Sequence, residues 1–96
     1  MTNLHEEVQK GRDAEQILEH PIIKEAFAQV RAGIINKWAD APLRDKEGAH
    51  ELKLMLKLLG DVEMNIRRFV DTGKMAEIQL EKEQKIAEFK AKHKFA

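Results

Sequence analysis

The chain has no cysteine, serine or tyrosine, and these absences exclude several kinds of chemistry. Without cysteine there are no disulfides and no thiolate metal ligands. The commonest side-chain nucleophiles of enzymes are also missing. The 4 histidines show no spacing typical of a zinc site, and no glycine-rich phosphate loop occurs. The sequence therefore predicts a protein that is not an enzyme and that uses no metal or cofactor.

The chain also lacks net charge and long apolar segments. Its 17 basic and 17 acidic side chains balance, which argues against a protein that coats DNA non-specifically. No apolar run approaches the roughly 18 residues of a membrane-spanning helix, so we expect no membrane insertion. The first ten residues do not show the basic and then apolar pattern of a signal peptide, so we expect no secretion.

Proline and glycine are few, and no strand-like alternation of apolar and polar residues occurs, so the sequence predicts an all-α fold. We expect a small antiparallel helical hairpin or bundle with short N-terminal helices and a long charged C-terminal helix. Residues 1–20 are predicted to form two short helices. Asn3 caps the first, Gly11 ends it, and Asp13 caps the second.

Residues 21–73 are predicted to form the core as two antiparallel helices, from Pro21 to Ala39 and from Lys46 to Thr72. Asp45 is the expected cap of the second helix, and Gly73 its expected end. Apolar residues recur at spacings of three and four in both helices, and we expect the two stripes to bury each other. The stripes are Ile23, Phe27, Val30, Ile34 and Trp38 in the first helix, and Leu52, Met55, Leu59, Val62, Ile66 and Phe69 in the second.

Residues 74–96 are predicted to form a helical arm. Its middle, EKEQK, has nothing to bury, whereas Ile86 and Phe89 lie at helical spacing near its end. The last eight residues hold three lysines and no acid, and such uneven charge indicates contact with other surfaces. A third bundle helix with a poor apolar face is the alternative.

Two surfaces are candidates for binding a partner. Gly60 and Met64 lie one turn apart on the polar side of the long helix, where a gap beside a flexible apolar side chain suits a partner helix. The end of the arm is the other surface, and it suits an acidic protein or a second copy of the chain. The candidate residues are Gly60, Met64, Ile86, Phe89, Lys90, Lys92 and Lys94.

The segment AGIINKWADAPLRDKEGAHELKLMLKLLGDVEMNIRRFVDTGKMA resembles small helical proteins encoded by tailed bacteriophages. The resemblance covers about residues 21–76. It includes a helix ending near Ile35–Trp38, DKEG at Asp45–Gly48, LKLL at Leu56–Leu59 and TGKMA at Thr72–Ala76. The resemblance implies a genomic context rather than an activity. It implies a protein that is present in the host cytoplasm during infection, and association with the virion is a further expectation.

Three hypotheses for the function follow. The first is a non-enzymatic phage protein that acts by helix-mediated assembly in virion or head morphogenesis, or as a minor structural component. The second is a small inhibitor or regulator that binds a host protein. The third is a DNA-binding packaging or regulatory subunit, in which Arg67, Arg68 and the lysines of the tail contact phosphates; this signal is weak, because no recognition helix follows a tight turn.

Overall fold

The structure, a computed structural model, describes residues 3–93, and within that range it contains three α-helices. The first helix, α1, is Leu4–Glu19, α2 is Pro21–Asp40, and α3 is Lys46–Lys92. The predicted all-α class is confirmed for the described residues. With 47 residues, α3 is about 70 Å long at 1.5 Å per residue, and it accounts for most of the longest dimension of the molecule, 79 Å.

Several of the predicted helix starts are confirmed by their capping bonds. The Asn3 side chain accepts a hydrogen bond from the His5 backbone N–H at 2.8 Å, and that of Asp45 accepts from the Gly48 N–H at 2.9 Å. Pro21 is the first residue of α2. The cap of α2 was not predicted: the His20 ring nitrogen Nδ1 accepts from the N–H of Ile22 at 3.1 Å. These side chains satisfy backbone donors that have no partner inside the helix.

Two predicted helix ends are wrong, because both glycines lie inside helices. Gly11 lies in the middle of α1, and Asp13 is an internal residue of that helix rather than a cap. Gly73 lies within α3, which continues without a break to Lys92. The two glycines face each other: a Cβ on either would lie 2.8 Å from the Cα of the other. Because neither glycine has a side chain, α1 and α3 approach each other closely at this point. Such a close contact favours glycine, as a helix end does.

Both α1 and α2 run antiparallel to α3. Along α2, Arg31 bonds to Glu63, and further on Ile34 and Trp38 lie beside Leu52, so later residues of α2 meet earlier residues of α3. Along α1, Gly11 meets Gly73, whereas the later Leu18 lies beside Arg67. The two shorter helices thus follow one another along a single long helix, with only His20 between them.

The position of the core differs from the prediction. We expected α2 and residues 46–72 to bury each other, with Trp38 among the buried residues. The closest packing is instead between α1 and the later part of α3, and Trp38 is 58% exposed. Among residues 3–93, the buried residues are Gly11, Ala14, Ile34, Val70, Gly73 and Ala76. Five of these six lie in α1 or in the part of α3 that α1 covers.

The predicted arrangement as a small helical hairpin or bundle is not confirmed, because the molecule is strongly elongated. Its radius of gyration is 21.7 Å, whereas a compact domain of this length has a radius of about 12.5 Å. Beyond Leu80, which is partly buried, every described residue of α3 is exposed. We call residues 81–92 the terminal segment. Its twelve residues extend about 18 Å past the part of α3 that α1 covers.

Candidate functional site

The dominant surface feature of the protein is the amount of apolar side chain left in contact with solvent. The accessible surface is 8247 Å², whereas a compact monomer of 11.1 kDa has about 5,700 Å². The excess is about 2,500 Å². Sixteen large apolar side chains are exposed among the described residues, which is far more than scattered surface leucines. An apolar excess of this kind marks sites of protein interaction.

The apolar residues of α3 form two neighbouring stripes rather than one. The inner stripe faces α1 and α2 and contains Leu52, Leu59, Ile66, Gly73 and Leu80, which are buried or partly buried. The other stripe, here called the outer stripe, lies about 60° to 100° around the helix from the inner stripe and is exposed to solvent. It consists of Met55, Leu58, Val62, Asn65, Phe69 and Thr72, all of them exposed. Their spacing of 3, 4, 3, 4 and 3 is that of a helix–helix seam.

A flank of α2 lies on the same side of the molecule as the outer stripe. Each outer residue of α3 comes one position before a residue that is buried or partly buried, as Val62 comes before Glu63. On α2, Val30 likewise precedes Arg31, the partner of Glu63. When two helices pack antiparallel, the residues that come one position before their contact residues lie on the same side of the pair. The g positions of an antiparallel coiled coil face each other for the same reason. Together with the outer stripe, the α2 residues Ile22, Ala26, Val30 and Gly33 form what we call the apolar face.

An open cleft lies on the opposite side, near the loop that joins α2 to α3. Its volume is about 320 Å³, and it is lined by Ile34, Ile35, Trp38, Leu52 and Leu56, with Lys53 at the rim. Ligand pockets of this size usually hold a few convergent polar groups that orient the ligand. Lys53 is the one charged side chain along this cleft, so the cleft offers apolar contact but no arrangement for catalysis. Trp38 was predicted to be core, and its exposure here was not anticipated.

The structure places the predicted pair Gly60 and Met64 one turn apart on α3. A Cβ at Gly60 would meet no heavy atom within 4 Å, and Met64 is exposed beside Asp61 and Arg68. The pair is therefore accessible, but it lies outside the apolar face. That a partner docks on Gly60 and Met64 stays a prediction.

The other predicted site residues lie on the terminal segment, far from that pair. Ile86 and Phe89 are exposed, and the Phe89 ring stacks on the His93 ring with centroids 4.1 Å apart. Lys90 and Lys92 belong to the last turn of α3, where positive charge complements the helix dipole. Lys94 lies outside the described residues. Binding by this group also stays a prediction, and the apolar face was not among the predicted sites.

Two ion pairs among the described residues join the helices to each other. Arg12 bonds to Glu77 at 2.9 Å and holds α1 to α3, and Arg31 bonds to Glu63 at 2.6 Å and holds α2 to α3. Within residues 3–93, no three side chains of the metal-binding types converge on one point. None of the three helices over that range is both long and apolar enough to cross a membrane.

Comparisons of the chain with protein families, with curated proteins and with solved structures found no match. The physical properties of the surface are therefore the basis for assigning a function.

Proposed function

We propose that this protein acts by helix-mediated protein–protein assembly and has no catalytic role. The observation that carries the proposal is the set of sixteen large apolar side chains exposed among the described residues, on a chain whose total accessible surface exceeds that of a compact monomer by about 2,500 Å². A stable interface of ordinary size needs only about 800 Å² from each partner. The elongated chain thus has enough surface for one specific interface, and its sixteen exposed apolar side chains are uncovered when the chain is alone.

The shape of the molecule supports the same proposal. A rod of 79 by 25 by 17 Å buries only a small core of its own, because each helix has few neighbours. The bundle predicted from the sequence forms, on this proposal, when another protein surface covers the apolar face. The terminal segment supplies a second contact through Ile86, Phe89 and its lysines, which suit an acidic neighbour.

The biological context that we propose is virion or head morphogenesis of a tailed bacteriophage, in the cytoplasm of the infected host. The resemblance of residues 21–76 to small helical phage proteins supports this context. A scaffold-like helper or a minor structural component needs an extended shape and surfaces for neighbours, and it needs no active site. The charge balance of the chain favours protein partners over nucleic acid.

Light scattering after size-exclusion chromatography tests the proposal, together with binding of a dye that reports exposed apolar surface. We expect a mass above 11.1 kDa that rises with concentration, and dye binding that falls as association increases. A variant that ends at Leu80 should stay helical and keep the pairing of α1 with α3, but it should form fewer or smaller assemblies. A chain that stays monomeric at high concentration and binds no dye would contradict assembly through an apolar surface.

A further inference from the structure

We propose that a second copy of this chain covers the apolar face, in an antiparallel and twofold-symmetric pairing that makes a four-helix bundle. This inference rests on the proposed function and names the partner. The outer stripe of one α3 packs on the outer stripe of the other, and α2 packs on the α2 of the second copy. The terminal segments then project from opposite ends of the dimer.

The outer stripe is self-complementary when it is paired with its own reversed copy. With the twofold axis at the level between residues 63 and 64, Val62 meets Asn65 of the second copy, Leu58 meets Phe69, and Met55 meets Thr72. The contact of Leu58 with Phe69 thereby joins two large apolar residues, and the smaller Thr72 meets the flexible Met55. A single polar residue such as Asn65 within an apolar seam is a device that fixes the register of paired helices.

Oppositely charged residues at the edge of the outer stripe also pair with each other in this register. Asp61 and Arg68 lie beside the outer stripe on the side away from α2, and both are exposed. In the antiparallel pairing, Asp61 of each copy faces Arg68 of the other, so that two equivalent ion pairs form. One heptad further out, Leu54 faces Met75, and these are two further apolar side chains that the single chain leaves exposed. A parallel pairing forms neither of these contacts.

The α2 helices meet at the same twofold axis. Because Arg31 bonds to Glu63, Val30 lies at the level of the axis and meets Val30 of the second copy. Ala26 then meets Gly33, and around Gly33 a Cβ would find no heavy atom within 4 Å. Small residues on both sides of this contact let the two α2 backbones approach each other while the α3 helices pack. One twofold axis therefore fits both the pairing of α3 with α3 and the pairing of α2 with α2.

The area is also sufficient for a stable dimer. From Leu54 to Met75 the face runs for about 30 Å along α3. The α2 helix widens the part up to about Arg67, whereas Glu7 and Lys10 of α1 lie beside Phe69 and Thr72. Dimers with interfaces of this helical type bury about 1,000 Å² or more from each chain. The total surface excess of each chain, about 2,500 Å² of polar and apolar atoms together, is more than this requirement, and the face does not include the terminal segment.

Charge reversal tests the pairing on the full chain, with the dimer dissociation constant measured by sedimentation. Each of Asp61→Arg and Arg68→Asp places two like-charged pairs at the edge of the seam. Either variant should weaken dimerisation about three- to tenfold at low salt, and the double variant Asp61→Arg/Arg68→Asp should restore it. Both side chains are exposed in the single chain, so helicity measured by circular dichroism should not change. Weakening without rescue in the double variant would overturn the antiparallel register.

Disulfide formation gives an independent readout, because the natural chain has no cysteine. Val30→Cys should cross-link to itself under mild oxidation and give a covalent dimer. Ala28→Cys, which is exposed on the opposite flank of α2, is the matched control and should stay unlinked. Equal cross-linking of the two variants, or none in Val30→Cys, would overturn the proposed dimer.

The outcomes also separate this inference from the proposed function. Association that ignores the charge reversals and does not cross-link Val30→Cys overturns the twofold dimer, but it leaves assembly as the function. A chain that stays monomeric but binds the apolar dye also overturns the twofold dimer and leaves assembly as the function, because a different protein then covers the apolar face. A monomer that binds no dye overturns both.

Discussion

The two contacts along α3 differ in kind: α1 lies against it closely, and α2 lies against it loosely. Where α1 packs, small residues face each other and the backbones nearly touch at Gly11 and Gly73. Where α2 packs, large apolar residues predominate, yet Ile34 is the one buried residue that α2 contributes. Large side chains hold the second pair of helices apart, and one neighbour is too few to cover them. A strong apolar stripe therefore does not by itself indicate where a chain is well packed.

The largest expected effect comes from filling the close contact of α1 with α3. Gly73→Leu inserts a side chain where even a Cβ would lie 2.8 Å from a backbone atom of α1. We expect α1 to separate from α3, with a loss of about 3 kcal/mol or more of unfolding free energy, measured by urea denaturation. Hydrogen exchange should show that the amides of α1 lose protection first.

Gly60→Leu is the matched control, since it makes the same substitution in the same helix. A Cβ at Gly60 meets no heavy atom within 4 Å, and leucine is the better helix former by somewhat less than about 1 kcal/mol. We therefore expect unchanged or slightly raised stability. Equal destabilisation by the two variants would show that the contact at Gly73 is not special.

A smaller effect is expected from truncations on α2. Ile34→Ala removes a buried side chain and should lower the unfolding free energy by about 2 kcal/mol, the low end for buried isoleucine, because the site has few neighbours. Trp38→Ala removes a larger side chain that is more than half exposed, and it should cost about 1 kcal/mol. Denaturation of both variants at the lowest usable concentration limits the contribution of association. A larger loss in Trp38→Ala would mean that the loop end of α2 is better packed than the structure shows.

The smallest effect is expected from the ion pairs. Arg12 and Glu77 are both about half exposed or more, so a double-mutant cycle to alanine should give a coupling of a few tenths of a kcal/mol that vanishes in high salt. Arg31 and Glu63 are less exposed, and their coupling should be larger and less sensitive to salt. A larger coupling free energy for Arg12 with Glu77 than for Arg31 with Glu63 would indicate that burial does not determine the strength of these ion pairs.

Much of the secondary structure was predictable from local signals, but the packing was not. Asn3, Pro21 and Asp45 act on backbone groups a few residues away, so their effects can be inferred from the sequence itself. A glycine at a helix end and a glycine at a close helix contact look alike in sequence, and only the neighbouring helix distinguishes them. For this reason the roles of Gly11 and Gly73 were misassigned.

The candidate surface was missed for a related reason. The predicted stripe of α3 alternates between residues that face α2, such as Leu52 and Leu59, and residues that face solvent, such as Met55 and Val62. Spacings of three and four fit one wide stripe as well as two adjacent stripes. Which part of the stripe is covered depends on how many helices pack against α3. A single sequence does not give the number of these helices.

The unbroken passage of α3 into the terminal segment has a kinetic consequence. A peptide of twelve residues alone would be largely unfolded in water, because starting a helix is the unfavourable step. Here the first turns are already supplied by the preceding helix, so the segment extends by propagation alone. Glu81 and Lys85, and Glu88 and Lys92, add favourable pairs four residues apart. A partner that captures Ile86 and Phe89 therefore meets a preordered ligand, and its association rate should not be slowed by a folding step.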